Sequence, residues 1–385
     1  MSTEKMINFM ALRKPAAILS ILLIIVSIGS LAVNGLKLGL DFTGGAQVEV
    51  SFDKPADLPV IREVLAEQGL ENPVAVYFGS NTEVLIRIQG AMQDGASALI
   101  NKVLSSGGEN ARIVSIERAP QQAGDYSQQV IVTGVDVDQL RASGVFDAAY
   151  YGQVDYQTGD NQILVLLENS LDNAYTQYLL DQLAAATGSE IELQRSEFVG
   201  PQIGEELRDD GGIGLLVALF MVMAYVAVRF QYKFSIGAVA ALIHDVIIVL
   251  GLFSLLQLDF DLTVLAAILA VIGYSINDTI VVYDRIRENF PKLRKADTVE
   301  TINVSLSQMY ERTLITSLTT LLVLVMLFVF GGELIKGFAV ALIIGVVVGT
   351  YSSIYTASNL LVMLNLTRED LMPPEREESE IDQMP

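Results

Sequence analysis

The sequence has no cysteine and only one histidine, His244, among its 385 residues. Without cysteine, no disulfide can hold an exported domain together, and catalysis or metal binding by a thiolate is excluded. A single histidine excludes a histidine-rich metal site and argues against a Ser-His-Asp hydrolase site. We therefore predict a protein that is not an enzyme and that needs no metal and no cofactor.

Positive charge is also scarce. The chain has 24 Lys and Arg against 45 Asp and Glu, a net charge of −21 at pH 7. Most of the excess lies in one polar stretch, residues 35–210, which contains 10 Lys and Arg and 27 Asp and Glu. Such an acidic surface repels nucleic acid and anionic lipid headgroups. Solubility in a saline exterior is the simplest reason for the charge, and we expect no nucleic-acid partner.

Long apolar runs, by contrast, are abundant. Hydrophobic residues make up 51% of the chain and its mean hydropathy is +0.45, too apolar for an ordinary soluble protein. A helix needs about 20 apolar residues to cross a bilayer. Six runs meet this length, and we predict transmembrane helices at about 15–34, 212–230, 235–257, 262–283, 313–330 and 337–364. The first run is long for a signal peptide and no Ala-x-Ala cleavage site follows it, so we expect a retained anchor.

Basic residues are concentrated in the short connections between these runs, and they are Lys5, Arg13, Lys14, Arg229, Lys233, Arg285, Arg287, Lys292, Arg294 and Lys295. By the positive-inside rule these connections lie in the cytoplasm. We therefore predict a cytoplasmic N-terminus at 1–14, a cytoplasmic loop at 284–307 within the helical segment 211–366, and an acidic cytoplasmic tail at 367–385. The polar stretch 35–210 then lies outside.

Short strands alternate with amphipathic helices in this outer stretch. Two successive sets, 46–118 and 126–199, show the order β-α-β-β-α-β, and in the second set we predict a strand over 148–156. This order predicts an α+β domain of two ferredoxin-like units in tandem. That fold is a common scaffold and does not by itself indicate a function.

One transmembrane run contains a carboxylate, Asp278, at membrane depth. An aspartate costs about 2.5–3.5 kcal/mol at the centre of a membrane helix, so it needs a partner, a proton or a water-filled path. Arg312, at the entrance to the next run, is the candidate partner. Desolvation favours the protonated acid and the arginine favours the carboxylate, so small movements could switch proton binding. A fixed ion pair, or an arginine that extends to the headgroups, is the alternative that these residues leave open.

Further polar residues lie on the same helix faces as this pair. They follow the i, i+3, i+4 spacing of one face, and they are Tyr274 and Asn277 on the fourth run and Thr316 and Thr320 on the fifth. We predict that they support the proton relay. His244 and Asp245 open the third run and Asp284 closes the fourth. Helix-end contact with water and headgroups is the simpler interpretation of these three, and a secondary place in a cytoplasmic proton path is the other.

Two short segments are predicted to join the outer domain to the membrane part. Asp41, Gly44 and Gly45 follow the first run, and paired glycines suit a tight turn or a close backbone approach. Gly200 and Pro201 lie where the outer domain ends. We predict a hinge or rigid joint at both places.

The sixth run contains a strip of small residues, Gly345, Gly349 and Ser353, at intervals of four. Such a strip permits close helix packing. We favour packing within the chain over a dimer interface.

Several motifs, taken together and in order, resemble the SecF family of bacterial protein-export membrane proteins, a branch of the SecD/SecF family within the resistance-nodulation-division superfamily. They are Leu40-Asp-Phe-Thr-Gly-Gly45, Phe198-Val-Gly-Pro201, His244-Asp245, Ile272-Gly-Tyr-Ser-Ile-Asn-Asp-Thr279, Tyr283-Asp-Arg-Ile-Arg-Glu-Asn289, Phe330-Gly-Gly332 and Val346-Val-Val-Gly-Thr-Tyr-Ser-Ser353. The resemblance covers the first run, the start of the outer domain and residues 197–366.

The resemblance implies a multi-pass subunit of the bacterial inner membrane, with both termini cytoplasmic and the large domain periplasmic. Such a subunit pairs with SecD in a twelve-helix assembly, joins the SecYEG channel and uses the proton gradient to promote preprotein export. YajC and YidC are the further partners it implies. The family's essential aspartate falls on Asp278, and its arginine at the start of the following span falls on Arg312.

One departure stands out: the family usually has a single ferredoxin-like unit, so residues 90–169 look like an addition. Three other functions share some of these features. A half-size small-molecule or lipid exporter of related architecture usually contains two repeats, whereas this chain has one. An intramembrane aspartyl protease would need paired acids at one depth. A scaffold without a proton role remains the third.

Overall fold

The computed structural model describes residues 7–68, 70, 73–89, 95–98, 100–101, 104, 111–120, 125–159, 162–293, 295–367 and 369–371. The chain divides into two compact units. One is Met1–Gly39 together with Asp209–Pro385, here called the membrane unit, and the other is Leu40–Arg208, here called the outer unit.

Six helices among the described residues are long and apolar enough to cross a membrane, which confirms the six predicted runs. We call them span 1 to span 6. In order they are Arg13–Asn34, Pro201–Arg229, Tyr232–Leu256, Leu262–Lys292, Thr298–Phe330 and Glu333–Tyr351, the last continuing through a π-helical segment, Ser352–Ala357, into Ser358–Met363. Short 3₁₀ turns at Phe9–Leu12 and Glu369–Leu371 precede span 1 and follow span 6.

Most of the predicted cytoplasmic loop 284–307 is helical. Span 4 runs on to Lys292, and span 5 begins at Thr298, where the Asp297 carboxylate caps the helix by accepting a hydrogen bond from the Glu300 amide at 2.7 Å. Ile286 and Ile302 are buried in one apolar cluster. The hydropathy falls at 284 because charged residues begin there, but an amphipathic pattern continues and supports the helix.

Spans 4 and 6 approach closely through the small residues of span 6. A Cβ atom at Gly345 would lie 2.1 Å from Val271 Cγ2, and one at Gly349 would lie 3.2 Å from Ser275 Cβ. The predicted packing of this strip within the chain is confirmed.

Spans 1 and 3 pack in the same way, and their contact supplies a test of the fold. A Cβ at Gly251 would lie 2.1 Å from Ser27 Cβ and 2.5 Å from its Cα, so a rotamer change cannot relieve the clash. We expect Gly251→Ala to lower the free energy of unfolding by about 1–3 kcal/mol, as overpacking does. Gly273→Ala is the matched control, because nothing lies within 4 Å of its Cβ position. Thermal unfolding of both purified variants measures the effect, and equal stability would contradict it.

The outer unit contains two four-stranded sheets, both antiparallel, with the orders β3-β4-β2-β9 and β5-β6-β8-β7. A third, two-stranded parallel pair, β1 with β10, belongs to the membrane unit. In chain order the strands are β1 Lys37–Leu38, β2 Gly45–Phe52, β3 Val74–Phe78, β4 Ser80–Gln89, β5 Arg112–Arg118, β6 Gln128–Thr133, β7 Val154–Gly159, β8 Gln162–Leu167, β9 Ile191–Val199 and β10 Asp259–Phe260. The helices of the outer unit are Leu40–Thr43, Leu58–Glu67, Val137–Ala142, Ala148–Tyr151 and Leu171–Thr187.

The two predicted sets exchange their last strands. β5 pairs with β6, Arg118 opposite Gln128, and β9 pairs with β2, Phe198 opposite Ala46. The division of the strands into 46–118 and 126–199 is therefore corrected, since each sheet takes its fourth strand from the other set. Strands close in sequence tend to pair, so β5 folds back on β6 and β9 takes the free edge of β2. The two sheets share one apolar core.

The predicted strand over 148–156 is also corrected. Asp147 caps a short helix, Ala148–Tyr151, by accepting a hydrogen bond from the Ala149 amide at 2.9 Å, and Gly152 ends it with a φ of 69°. The strand β7 begins only at Val154. An N-cap carboxylate and a left-handed glycine four to five residues apart favour one helical turn over a strand.

Candidate functional site

Asp278 lies well inside span 4 and is 7% exposed. Its Oδ2 atom is buried and has no hydrogen-bond partner among the described residues. A buried carboxylate oxygen without a partner is costly when charged. The position therefore suits a group that binds a proton or a water molecule.

Arg312, the predicted partner, lies on span 5 and close enough to interact electrostatically with the Asp278 carboxylate. The two side chains form no ion pair within 4 Å, and Arg312 is exposed in the described chain. Its backbone carbonyl accepts a hydrogen bond from the Thr316 hydroxyl at 2.7 Å. The acid and the base are thus neighbours without direct contact, an arrangement that a small helix movement could close or open.

The predicted supporting residues divide into two groups. Tyr274 points into the chain and its hydroxyl donates to Ser317 Oγ at 3.2 Å, while Ser317 shares a 2.7 Å hydrogen bond with Thr350 of span 6. Asn277 and Thr316 are exposed. The sequence interpretation missed Ser317 and Thr350, because single hydroxyls in apolar helices are usually satisfied by their own backbone.

Thr320 is partly buried, and its hydroxyl donates to the Thr316 carbonyl at 2.8 Å. Its hydroxyl, like that of Thr316, is therefore held by its own helix. The outward polar face at membrane depth consists of Asn277, Arg312 and Thr316, here called the polar face.

His244 and Asp245 lie in the middle of span 3, and they are 2% and 0% exposed. Their interpretation as helix-end residues is wrong, because span 3 begins at Tyr232. His244 Nδ1 lies 2.8 Å from Asp245 Oδ1. Asp245 Oδ2 accepts hydrogen bonds from Ser352 of span 6 at 2.7 Å and from Ser275 of span 4. We call these four residues the Asp245 cluster.

Backbone geometry of span 6 places Ser352 in the Asp245 cluster. Ser352 opens the π-helical segment, and the Tyr283 hydroxyl donates to the Ala357 carbonyl at the other end of that segment at 3.0 Å. Single π-helical turns inside helices are often found at functional sites. Asp284, next to Tyr283, is exposed, whereas the residues of the Asp245 cluster are buried.

His244 Nε2 is buried and has no hydrogen-bond partner among the described residues. The ring stacks on Tyr351, with centroids 6.3 Å apart. It also lines a cavity of about 270 Å³ between spans 1, 3 and 6. One imidazole nitrogen is therefore held by Asp245 and the other is available for a proton.

The predicted joint residues lie side by side in the outer unit. Asp41 belongs to the short helix Leu40–Thr43, and Gly44 and Gly45 have φ angles of 73° and 143°. Gly45 opens β2 opposite Val199, the last residue of β9. Gly200 and Pro201 follow at once, and Pro201 begins span 2. The two predicted joints thus meet at one end of the β2–β9 strand pair.

Comparisons with known proteins extend this description. The family model described as "Protein export membrane protein SecD/SecF, C-terminal" matches residues 180–367, and "SecD/SecF GG Motif" matches residues 29–56. The protein translocase subunit SecF of Pseudomonas aeruginosa is 39% identical over 97% of this chain and 96% of that protein. The SecF of Vibrio alginolyticus is 39% identical over 100% and 99% of the two chains.

Two solved structures of SecDF are similar in fold. One is a crystal structure of SecDF, a translocon-associated membrane protein, from Thermus thermophilus. It has a TM-score of 0.65 and 28% identity, over 95% of this chain and 39% of that one. SecDF in a super-membrane-facing form has a TM-score of 0.56 and 30% identity, with the same coverage. The chain therefore spans about two fifths of the length of the SecDF chains.

The full-length matches correct one prediction. Residues 90–169 were expected to be an addition to the family, but relatives of matching length align over nearly their whole chains. The family models leave the middle of the outer unit unmatched. That segment is thus shared among SecF proteins of this length.

Proposed function

This chain belongs to the SecD/SecF family of protein-export membrane proteins, and we propose that it is a SecF-type accessory subunit of the Sec translocase that couples proton entry to preprotein export. The observation that supports this coupling is the buried Oδ2 atom of Asp278, which has no hydrogen-bond partner in the part of the chain that the structure describes. Arg312 would act as its movable countercharge, because arginine does not deprotonate in proteins.

The polar face supports a membrane partner. Charged and amide groups at membrane depth face another protein surface or a water-filled path rather than lipid. Asn277, Arg312 and Thr316 are exposed in the described chain, so a second set of helices is needed to cover them. A SecD subunit supplies such a set, in line with the longer SecDF chains, and SecYEG is the channel that the assembly would serve. YajC and YidC remain predictions of the resemblance alone.

The Asp245 cluster supports a second proton-binding site. Ser275, one turn before Asp278 on span 4, donates to Asp245, whose other oxygen lies against His244. A proton would be exchanged between Asp278 and these groups along span 4. His244 is suited to this step because imidazole exchanges protons near neutral pH.

Each sheet of the outer unit, with its helices, would form a ferredoxin-like unit whose last strand comes from the other half of the outer unit. The orders β3-β4-β2-β9 and β5-β6-β8-β7 place the first and third strands of each half in the centre. Gly45 and Gly200 would act as a joint in the two chain segments that connect the outer unit to spans 1 and 2.

The proposed orientation follows from charge. Basic residues lie at the ends of spans 2 and 4, whereas the acidic outer unit connects span 1 to span 2 in the chain. The positive-inside rule then places both termini in the cytoplasm and the outer unit in the periplasm, with the chain in the inner membrane. A tag accessible to protease only from the outside at residue 138, and only from the inside at residue 296, would support this orientation.

Reconstituted vesicles test the function. They contain SecYEG and SecD, with or without this chain, and preprotein export is followed with and without an uncoupler. The proposal expects the uncoupler to slow export only when the chain is present. Equal sensitivity to the uncoupler in both kinds of vesicle would contradict it.

Arg312→Met is expected to remove most of the uncoupler-sensitive export, and Arg312→Lys to retain part of it. Methionine keeps much of the side-chain volume but removes the countercharge, whereas lysine keeps the charge without the planar fork. Export in the same vesicles measures both, after the complex with SecD has been checked by gel filtration. Equal activity of the methionine and wild-type proteins would indicate a structural role for Arg312.

A further inference from the structure

Two adjoining cavities in the outer unit meet at Tyr150. The first has a volume of about 260 Å³, and its lining includes four tyrosines. The second, of about 440 Å³, lies between helix Leu171–Thr187 and β9. Together we call them the tyrosine groove. Drug-sized ligands occupy pockets of about 300–1,000 Å³. The first cavity is smaller than this range and the second lies near its lower end, so the groove suits the individual side chains of a peptide.

Rigid aromatic surface forms the first cavity. Tyr175 and Tyr178 stack at 6.0 Å between centroids, and Tyr150 meets Tyr178 edge-on at 6.1 Å. Tyr151 closes the cavity below and is buried. Tyrosines provide large contact area at low entropic cost and tolerate varied partners. A tyrosine-rich surface of this kind suits the binding of polypeptides of many different sequences.

Polar groups line the second cavity. Asn173 and Gln177 of the long helix are exposed, and Ser196 of β9 has a buried Oγ without a hydrogen-bond partner among the described residues. Exposed Leu193 adds an apolar patch beside Ser196. An extended backbone, with its N–H and C=O groups, is the ligand that such amides and hydroxyls can satisfy.

Negative charge marks both cavities. Asp147 lines the first, and Asp181 lines the second and accepts a hydrogen bond from the Tyr150 hydroxyl at 3.0 Å. Burial raises the pKa of Tyr151 to about 12, so that hydroxyl stays neutral and the charge of the groove comes from its aspartates. The surrounding stretch is itself strongly acidic. A basic ligand is therefore favoured over an acidic one.

We propose that the tyrosine groove binds an unfolded segment of the exported polypeptide, with an aromatic or aliphatic side chain against Tyr150 and Tyr178 and a Lys or Arg beside Asp181. This inference rests on the proposed function, because it requires a polypeptide emerging beside the outer unit. The proposal places the contact between the subunit and the exported polypeptide at the tyrosine groove.

Photo-crosslinking tests the position of the groove. Benzoylphenylalanine replaces Tyr178 in the full chain, and the probe is a flexible glycine-serine peptide with one phenylalanine between two lysines. Tyr77, an exposed tyrosine of β3 outside the groove, is the matched control. The proposal expects a crosslink from position 178 and none from position 77. Equal crosslinking at both positions, or none at 178, would overturn it.

Charge reversal tests the chemistry without changing the core, because Asp181 is exposed. Binding of the fluorescent lysine peptide and of a glutamate counterpart is measured by anisotropy. Wild type is expected to bind the lysine peptide about tenfold more tightly, and Asp181→Lys is expected to reverse that preference. Asp138→Lys, at an exposed position of helix Val137–Ala142 that does not line the groove, should leave the preference unchanged. An unchanged preference in Asp181→Lys would refute the proposed basic segment.

These binding measurements need neither a proton gradient nor a partner subunit. If the groove does not bind the peptide while export stays sensitive to the uncoupler, only the groove proposal is refuted. If the groove binds the peptide but export is insensitive to the uncoupler with the chain present, only the coupling proposal falls.

Discussion

Replacing Asp278 with asparagine is expected to abolish the uncoupler-sensitive part of preprotein export. Asparagine has the same shape but cannot bind or release a proton at this site. The Oδ2 atom has no hydrogen-bond partner among the described residues, so the substitution breaks no hydrogen bond of that atom. The loss is therefore expected in activity rather than in assembly.

The size of the loss follows from the energy of the gradient. One proton that crosses 100 mV supplies about 2.3 kcal/mol, which corresponds to a factor of about 50 in an equilibrium. Without a proton-binding group, export should fall to the rate measured with the uncoupler. The ATP-driven stage should continue at its own rate.

Asp278→Glu is the informative companion, because it keeps a protonatable carboxyl group and changes only its reach. We expect it to retain part of the stimulation. Asp138→Asn, at an exposed position of helix Val137–Ala142 in the outer unit, is the control for the chemical change alone. Export in vesicles with SecD and SecYEG measures all three variants. Uncoupler-sensitive export by Asp278→Asn would show that the proton is carried elsewhere and would leave Asp278 a structural role.

The membrane unit was the more predictable half of the chain. Apolar length identifies spans directly, since a backbone in lipid must satisfy its hydrogen bonds within a helix. The same logic selects Asp278, because a buried carboxylate in an apolar run is costly wherever the helix packs. The Asp245 cluster was harder to predict. Its serines, Ser275 and Ser352, are ordinary in sequence, and only the packing of spans 3, 4 and 6 brings them to one carboxylate.

In the outer unit, the strands are predictable from the sequence but their pairing is not. Alternation of apolar residues predicts the strands and their order, because it depends on one strand at a time. The partner of an edge strand depends on what the rest of the chain leaves open. β9 could have paired beside β6, but β5 occupies that edge and β9 joins β2. The alternation within one strand therefore cannot predict which distant strand it pairs with.

Asp245→Ala is expected to be the most destabilising single substitution in the membrane unit. The carboxylate is fully buried and accepts hydrogen bonds from Ser275 and Ser352, with His244 Nδ1 at 2.8 Å. Removing it leaves three buried polar groups without their partner, each costing about 1–3 kcal/mol. A loss of several kcal/mol is therefore expected from the three hydrogen-bond partners together.

Thermal unfolding of the purified chain measures this loss. Asp284→Ala is the matched control, because Asp284 is exposed at the end of the apolar part of span 4. We expect the control to stay within about 0.5 kcal/mol of wild type, as surface substitutions usually do. Equal stability of the two alanine variants would mean that the Asp245 hydrogen bonds contribute little to the fold.

Asp245→Asn then separates stability from proton transfer. The amide keeps one acceptor oxygen for a serine and most of the volume, so this variant should fold well enough to be reconstituted. If the cluster receives the proton from Asp278, Asp245→Asn will lose uncoupler-sensitive export although it assembles with SecD. If export keeps its sensitivity, the cluster only fixes the packing of spans 3, 4 and 6, and the proton leaves Asp278 by another route. Substitutions at Asp245 thus distinguish a role in proton transfer from a role in the packing of the helices alone.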